Sequence, residues 1–320
     1  MSSPLWKLDN ASLAGSGMPR LDGVSLEIQP GVTAVLGCSG AGKTSLLNLL
    51  VGYERPDEGN VVSQVPRNHA LPVYWVPQGG GLWPHLTAEE HLRLVMSPKA
   101  ERGGALSMLD SLDLVEKATS RPDELSAGER ARLSVARALM ADAAVLVMDE
   151  PFANVDLARI GRYWAVVRRR IAETGASLVF ATHAPEAVLA EAERVVCLSE
   201  GRLLYEGTVA DLYWRPRTRE EADCLGESNW LSPDEARLWL GREEDAPRCF
   251  RPEQVEVAPA DASSIVVQSS RFKGSVAEVE VLHEGVGKRR RFVHRPVADG
   301  LKAGMRVVLR VLVGEDGRCQ

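Results

Sequence analysis

The segment GCSGAGKT, Gly37 to Thr44, has the residue types and spacing to hold phosphate. Its residues, Gly37, Cys38, Ser39, Gly40, Ala41, Gly42, Lys43 and Thr44, match G-x-x-x-x-G-K-[ST] at every fixed position. Small residues let successive backbone N–H groups turn inward, so main chain meets the oxygens of a triphosphate. Lys43 is then placed to neutralise the β- and γ-phosphates, and the Thr44 hydroxyl to complete a magnesium shell. The plainer reading is a glycine-rich turn that only caps a helix.

Other residues gain meaning beside that loop. The apolar run Val145 to Met148 ends in Asp149 and Glu150, at the strand end where open α/β sheets bind ligands. Asp149 would reach the magnesium and Glu150 would polarise an attacking water; alternatively, the pair is only an acidic strand end entering solvent. His183 follows the apolar run Ser177 to Ala181 and reads either as a hydrogen-bond donor to a γ-phosphate or as a helix cap. Gln78 could ligate metal or water through its amide oxygen, or be an ordinary loop residue. In LSAGER, Ser126 and Glu129 form the capping-box pattern S-x-x-E, and the same helix start is a possible second anion site.

These residues need a strand, a loop and a helix in sequence, repeatedly. Val32 to Leu36 reads as a buried strand before the loop and Gly42 to Val51 as the helix after it. Leu5 to Ile28 alternates loosely, as antiparallel strands do. Val73 to Val76 is a short strand. The period then lengthens to that of helices over Ala88 to Met96, Gly104 to Leu112 and Gly128 to Met140. Helix Val155 to Glu173, strand Ser177 to Ala181, helix Pro185 to Ala192 and strand Arg194 to Leu198 complete an α/β alternation. After a short helix, Ser232 to Leu240, five alternating segments predict a small β-barrel or sandwich: Val255 to Val257, Ile265 to Ser269, Ser275 to Leu282, Arg289 to Val293 and Arg306 to Leu312.

At 320 residues the chain should carry two domains. A formal net charge of −6 argues against nucleic-acid binding. The cysteines Cys38, Cys197, Cys224, Cys249 and Cys319 are scattered and read as reduced cytosolic thiols. No secretory signal or membrane span is expected, so any membrane role runs through a partner. The basic run Lys288 to Arg291, beside His294 and Arg295, reads either as a site for an oxyanion or an acidic regulator or as a solvated face.

In order and rough spacing, GCSGAGKT, Gln78 in VPQGGGLWPHLT, LSAGE, VLVMDEP, ANVD ending at Asp156, and His183 resemble the ATP-binding subunits of ABC transporters. Asp211 to Val257 resembles the importer subgroup that carries a C-terminal TOBE-type β-domain. The resemblance implies a P-loop ATPase core over 1–240, with a helical subdomain at about 79–140, and an all-β, OB-like domain over 241–320. It implies ATP and Mg2+ as cofactors, with Thr44, Gln78 and Asp149 on the metal, Glu150 as general base, His183 as the γ-phosphate switch and Gln78 as the link to the membrane subunit. Two copies would meet head to tail, each ATP lying between Gly37 to Thr44 of one and Ser126, Ala127 and Gly128 of the other. Leu82, Trp83, Pro84 and His85 would lie near the groove for a permease's coupling helix. A solute-binding protein would take part indirectly, and the assembly would sit on the cytoplasmic face of the membrane. Members of this subgroup take up ferric iron, polyamines, sulfate, molybdate, phosphonates or sugars.

The sequence departs from the family in places. LSAGE replaces LSGGQ, which puts a methyl at Ala127 and a charge at Glu129 near the phosphate. ANV replaces SAL before Asp156. The position where such ATPases stack an aromatic on adenine falls near Ala14 and Gly15, and Trp6 is too far in register. Rival readings are a soluble ABC ATPase of translation or DNA repair, another P-loop enzyme, or a regulatory protein with a dead ATPase. Translation-type members usually fuse two ATPase domains and repair-type members insert a long coiled coil; this chain has neither pattern.

Overall fold

The computed structural model describes residues 3–66, 71–96, 103–296 and 300–312. Cys319 lies outside them. The chain divides into two compact units, Met1–Val209 and Ala210–Gln320.

The first unit begins with strands β1 (Trp6–Leu13) and β2 (Leu21–Ile28), antiparallel to each other. Register shifts at Ala11 explain why their alternation reads as loose. Trp6 is fully buried among Leu8, Leu26 and Ile28. β3 (Val32–Leu36) leads through the phosphate loop into α1 (Lys43–Leu50). β4 (Glu58–Ser63) adds to the far side of β1. Its largely exposed sequence, EGNVVS, has no apolar alternation by which it could be foreseen.

β5 (Leu71–Val76) is followed by three mutually packed helices, α2 (Ala88–Val95), α3 (Gly104–Ser111) and α4 (Ala127–Met140). Then come β6 (Ala143–Asp149), α5 (Leu157–Thr174), β7 (Ser177–Thr182), α6 (Pro185–Glu191), β8 (Arg194–Ser199) and β9 (Arg202–Thr208). The main sheet runs β5-β6-β7-β3-β8-β9. Its strands pair in parallel except for β9, which turns back on β8. β6 and β7 are buried on both faces, which is why they read as continuous apolar runs. Helix α5 starts at Leu157 rather than Val155 because Asp156 takes the cap position, its carboxylate accepting from Ala158 N at 3.0 Å.

The second unit holds α7 (Val209–Trp214, which begins at the boundary), α8 (Arg219–Cys224), a two-stranded sheet of β10 (Asn229–Leu231) and β11 (Arg248–Phe250), and α9 (Pro233–Leu240). Strands β12 (Val255–Pro259), β13 (Ile265–Phe272), β14 (Ala277–His283), β15 (Lys288–His294) and β16 (Arg306–Val311) form an antiparallel sheet in the order β12-β16-β13-β14-β15. Its end strands β12 and β15 also approach one another, so the sheet curls on itself. Whereas the change of texture in the sequence falls near residue 240, the compact division falls at 209. Arg251 gives the reason: it is buried, stacks on Tyr213 at 4.3 Å, and donates to Tyr213 O and Ala222 O, tying 210–240 to the β-sheet. The basic run of β15 is partly spent inside this unit. Arg290 pairs with Glu235 and donates to Trp230 O, and Arg291 faces Glu278.

Candidate functional site

The phosphate loop is shaped by contacts that only glycine permits at two points. A Cβ on Gly37 would lie 2.6 Å from Leu198 O, and one on Gly42 would lie 2.5 Å from Arg20 O, with φ +101° at Gly42. Gly42 therefore caps α1 without a side chain, and no acidic residue occupies the first turn. The N–H groups at that helix start are left for an external anion. Lys43 is largely buried, its Nζ donating to Gly37 O at 2.7 Å and Cys38 O at 3.1 Å. Those bonds hold the ammonium over the loop it closes.

Strand β6 delivers two carboxylates with different surroundings. Asp149 is buried and accepts a 2.6 Å hydrogen bond from Thr44 Oγ1. Burial pushes its pKa up, the Thr44 bond and Lys43 oppose that, and the neighbouring Glu150 adds to it. Glu150 sits at φ +50°, an uncommon conformation for a side-chain-bearing residue, and its N–H donates to Ala181 O. The turn aims its carboxylate at His183, with Oε1 and Nδ1 2.8 Å apart. Gln78, just past β5, faces the same space. Behind it Arg137 of α4, almost fully buried, donates to Gly80 O and Gly81 O and fixes the loop after Gln78. Sequence reasoning passed over Arg137, whose only signal was its place on the buried face of a helix.

These groups line one cavity of about 710 Å³, within the range of small-molecule sites. Cys38, Ser39, Gly40, Gly42, Lys43, Thr44, Gln78, Asp149, Glu150 and His183 all line it, and so does Arg20, a lone arginine that no motif singles out. Gly37 and Ala41 belong to the loop but not to its lining. Ser126, Ala127, Gly128 and Asp156 lie outside this cavity; Ala127 lines a smaller one of about 190 Å³ that shares Gln78, Asp149 and Glu150. The capping box is formed, Ser126 Oγ accepting from Glu129 N and the Glu129 carboxylate accepting from Ser126 N at 2.7 Å. Glu129 is thereby turned back onto its own helix start. Gly128 packs so closely on Asn154 that a Cβ would come within 2.7 Å of its carbonyl oxygen, joining the LSAGE and ANVD segments.

The donors beside Lys43 suit a hard cation. Among the described residues no group of three His, Cys, Asp or Glu could hold a metal. The Thr44 hydroxyl and Asp149 carboxylate are nevertheless paired oxygen donors beside a phosphate loop, the arrangement that Mg2+ uses when substrate phosphates complete its shell. Asp149→Asn should therefore separate folding from binding. A carboxyl whose folded pKa is raised contributes stability below its unfolded pKa, and that contribution is lost as pH rises through the folded value. Without nucleotide, the variant should melt at a higher temperature than wild type near pH 8, where the buried carboxylate is charged. The gap should close as pH falls below the usual aspartate range. Equal melting curves at both pH values would overturn this.

Comparison with known proteins points in one direction. The ABC transporter family matches residues 21–153. The Fe(3+) ions import ATP-binding protein FbpC of Pseudomonas fluorescens (strain Pf0-1) is 33% identical over 279 residues, covering 78% of this chain and 79% of that protein. FbpC of Serratia marcescens is 30% identical over 322 residues, 91% and 92% of the two chains. The putrescine transport ATP-binding protein PotG of Escherichia coli (strain K12) is 30% identical, covering 83% of this chain and 73% of PotG. Among solved structures, the dimeric post-hydrolysis state of the ATP-binding cassette MJ0796 bound to ADP and Pi aligns with a TM-score of 0.54 at 26% identity, over 64% of this chain and 98% of that one.

Proposed function

The chain belongs to the ABC transporter family, as an ATP-binding subunit of the import type, and from that premise we propose how its residues turn ATP hydrolysis into transport. It is an ATPase whose hydrolysis energises import. The observation that carries the residue assignments is the meeting of Lys43, the Thr44–Asp149 pair and the Glu150–His183 pair in one cavity.

ATP places its triphosphate on Gly37 to Thr44, with Lys43 against the β- and γ-phosphates. Thr44, Asp149 and Gln78 hold Mg2+, which when bound supplies charge neutralisation of the phosphates. Glu150 takes a proton from water as its oxygen bonds to the γ-phosphorus; the bond to the β-phosphate oxygen breaks and ADP and phosphate leave. His183 can bridge the two events. With Nδ1 engaged by Glu150 Oε1 at 2.8 Å, the Nε2 edge of the ring is left for the γ-phosphate.

Two copies pair head to tail, the phosphate loop of each facing Ser126, Ala127 and Gly128 of the other, with Asp156 beside the seam. The γ-phosphate closes the pair through charge-assisted hydrogen bonds, each on the order of 1.5–3 kcal/mol, and its loss reopens it. Membrane permease subunits receive that movement near Leu82, Trp83, Pro84 and His85, and a solute-binding protein delivers cargo to them. The subunit works on the cytoplasmic face of the membrane through these partners, a reading that the import-type relatives support. The ATPase role is assigned within 1–240, with its helical part at 79–140 and its compact body ending at Val209, and a TOBE-type regulatory or dimerising role to 241–320, to which Arg251 ties 210–240; the curled antiparallel sheet supports the latter.

Lys43→Ala tests the site directly. Removing the ammonium should weaken ATP about 10- to 100-fold, as expected for one charge-assisted contact. A fluorescent-ATP titration showing unchanged affinity would count against the loop's role.

A further inference from the structure

We propose that Arg20 is the base-stacking residue of the ATP site, its guanidinium plane taking the face of adenine in place of an aromatic ring. The proposal rests on the ATP reading above. Arg20 lines the same cavity as Lys43 and Thr44, and it comes from the connection between β1 and β2. Its backbone carbonyl abuts Gly42, so the residue stands beside the helix start that receives the phosphates.

The side chain is held as a plane by three bonds. Nε donates to Ala14 O at 3.0 Å, while Nη1 and Nη2 donate to the two oxygens of Glu54 at 3.1 and 2.5 Å. Glu54 is itself braced by Asn48 Nδ2 at 2.8 Å, and Ala14 N–H donates to Asp57. The Arg20 bond holds Glu54 below the usual carboxylate range. Glu54 compensates the positive charge and engages both terminal nitrogens, which leaves a poor phosphate ligand. Arg20 lines the cavity with its side chain 43% exposed; with its edge donors engaged, the face is what it can offer a ligand, and guanidinium faces stack on aromatic rings and bases.

No aromatic side chain lines the cavity among the described residues. Trp6 is locked in the core. Gly15 cannot supply a ring without moving the loop, because a Cβ there would lie 2.2 Å from Met18 O. The loop that lacks an aromatic is folded so as to position Arg20 instead.

The test titrates the full-length wild type, Arg20→Ala and Arg20→Lys with ATP and with inorganic tripolyphosphate, which has no base. Arg20→Ala should weaken ATP about tenfold or more, the size of a lost base stack. Tripolyphosphate affinity should stay within about twofold, since the phosphate contacts are untouched. Arg20→Lys should follow Arg20→Ala, because it keeps the charge and loses the plane. Should Arg20→Ala fail to fold, Arg20→Lys carries the test alone. Unchanged ATP affinity in the variants overturns the proposal, as does parallel weakening of both ligands or wild-type ATP affinity in Arg20→Lys. Failure of the wild type itself to bind ATP would instead overturn the underlying site reading.

Discussion

Glu150→Gln should lower ATP hydrolysis by about 10²–10⁴-fold, the range of a lost general base, while ATP affinity stays near wild type. The amide has the shape of the carboxylate and can still accept the hydrogen bond from His183 Nδ1, now 2.8 Å from Glu150 Oε1. It cannot take a proton from water. Lys43, Thr44 and Asp149 are untouched, so the triphosphate remains bound. Because the γ-phosphate is then lost only slowly, the variant should accumulate as a dimer in ATP and return to monomer in ADP, which light scattering measures. Hydrolysis at the wild-type rate would remove Glu150 from the role of base. Loss of both hydrolysis and ATP binding would show that the φ +50° turn, rather than the carboxylate, had been disturbed.

The phosphate loop and the ends of β6 and β7 were legible in the sequence because their determinants are local. Each is a run of a few residues whose order alone fixes a buried strand and the polar groups at its end. β9 was not legible, though its hairpin turn is also local. Ser199 pairs with Arg202 across Glu200 and Gly201, both at positive φ, a two-residue turn that closes an antiparallel edge onto a parallel sheet. A half-buried edge strand lacks the apolar run that marked its neighbours. Arg20 and Arg137 were invisible for another reason. A lone arginine reads as a solvated charge, and only the fold shows that one is buried under the Gln78 loop and the other braced in the lining of the cavity. The charge expected of Glu129 near the phosphate is answered by the fold as well, since the capping box turns that carboxylate onto Ser126 N–H.

Mixing two inactive variants should restore activity, and this outcome decides whether the site is shared. Lys43→Ala breaks the phosphate loop, and Ser126→Arg puts a bulky cation at the start of α4. In a head-to-tail pair every site of either homodimer contains one broken half. A mixed dimer has one site with both halves broken and one with both intact, so an equimolar mixture should contain about a quarter of the wild-type complement of intact sites. The structure motivates the expectation. Ser126, Ala127 and Gly128 do not line the 710 Å³ cavity of their own chain, yet Gly128 is packed on Asn154. The LSAGE and ANVD segments thus form one block held apart from the loop of the same chain. Ser126→Arg also removes a helix cap worth about 1 kcal/mol, so its melting curve must first show that it folds. If both variants fold and hydrolysis stays absent on mixing, the LSAGE segment does not complete its partner's site.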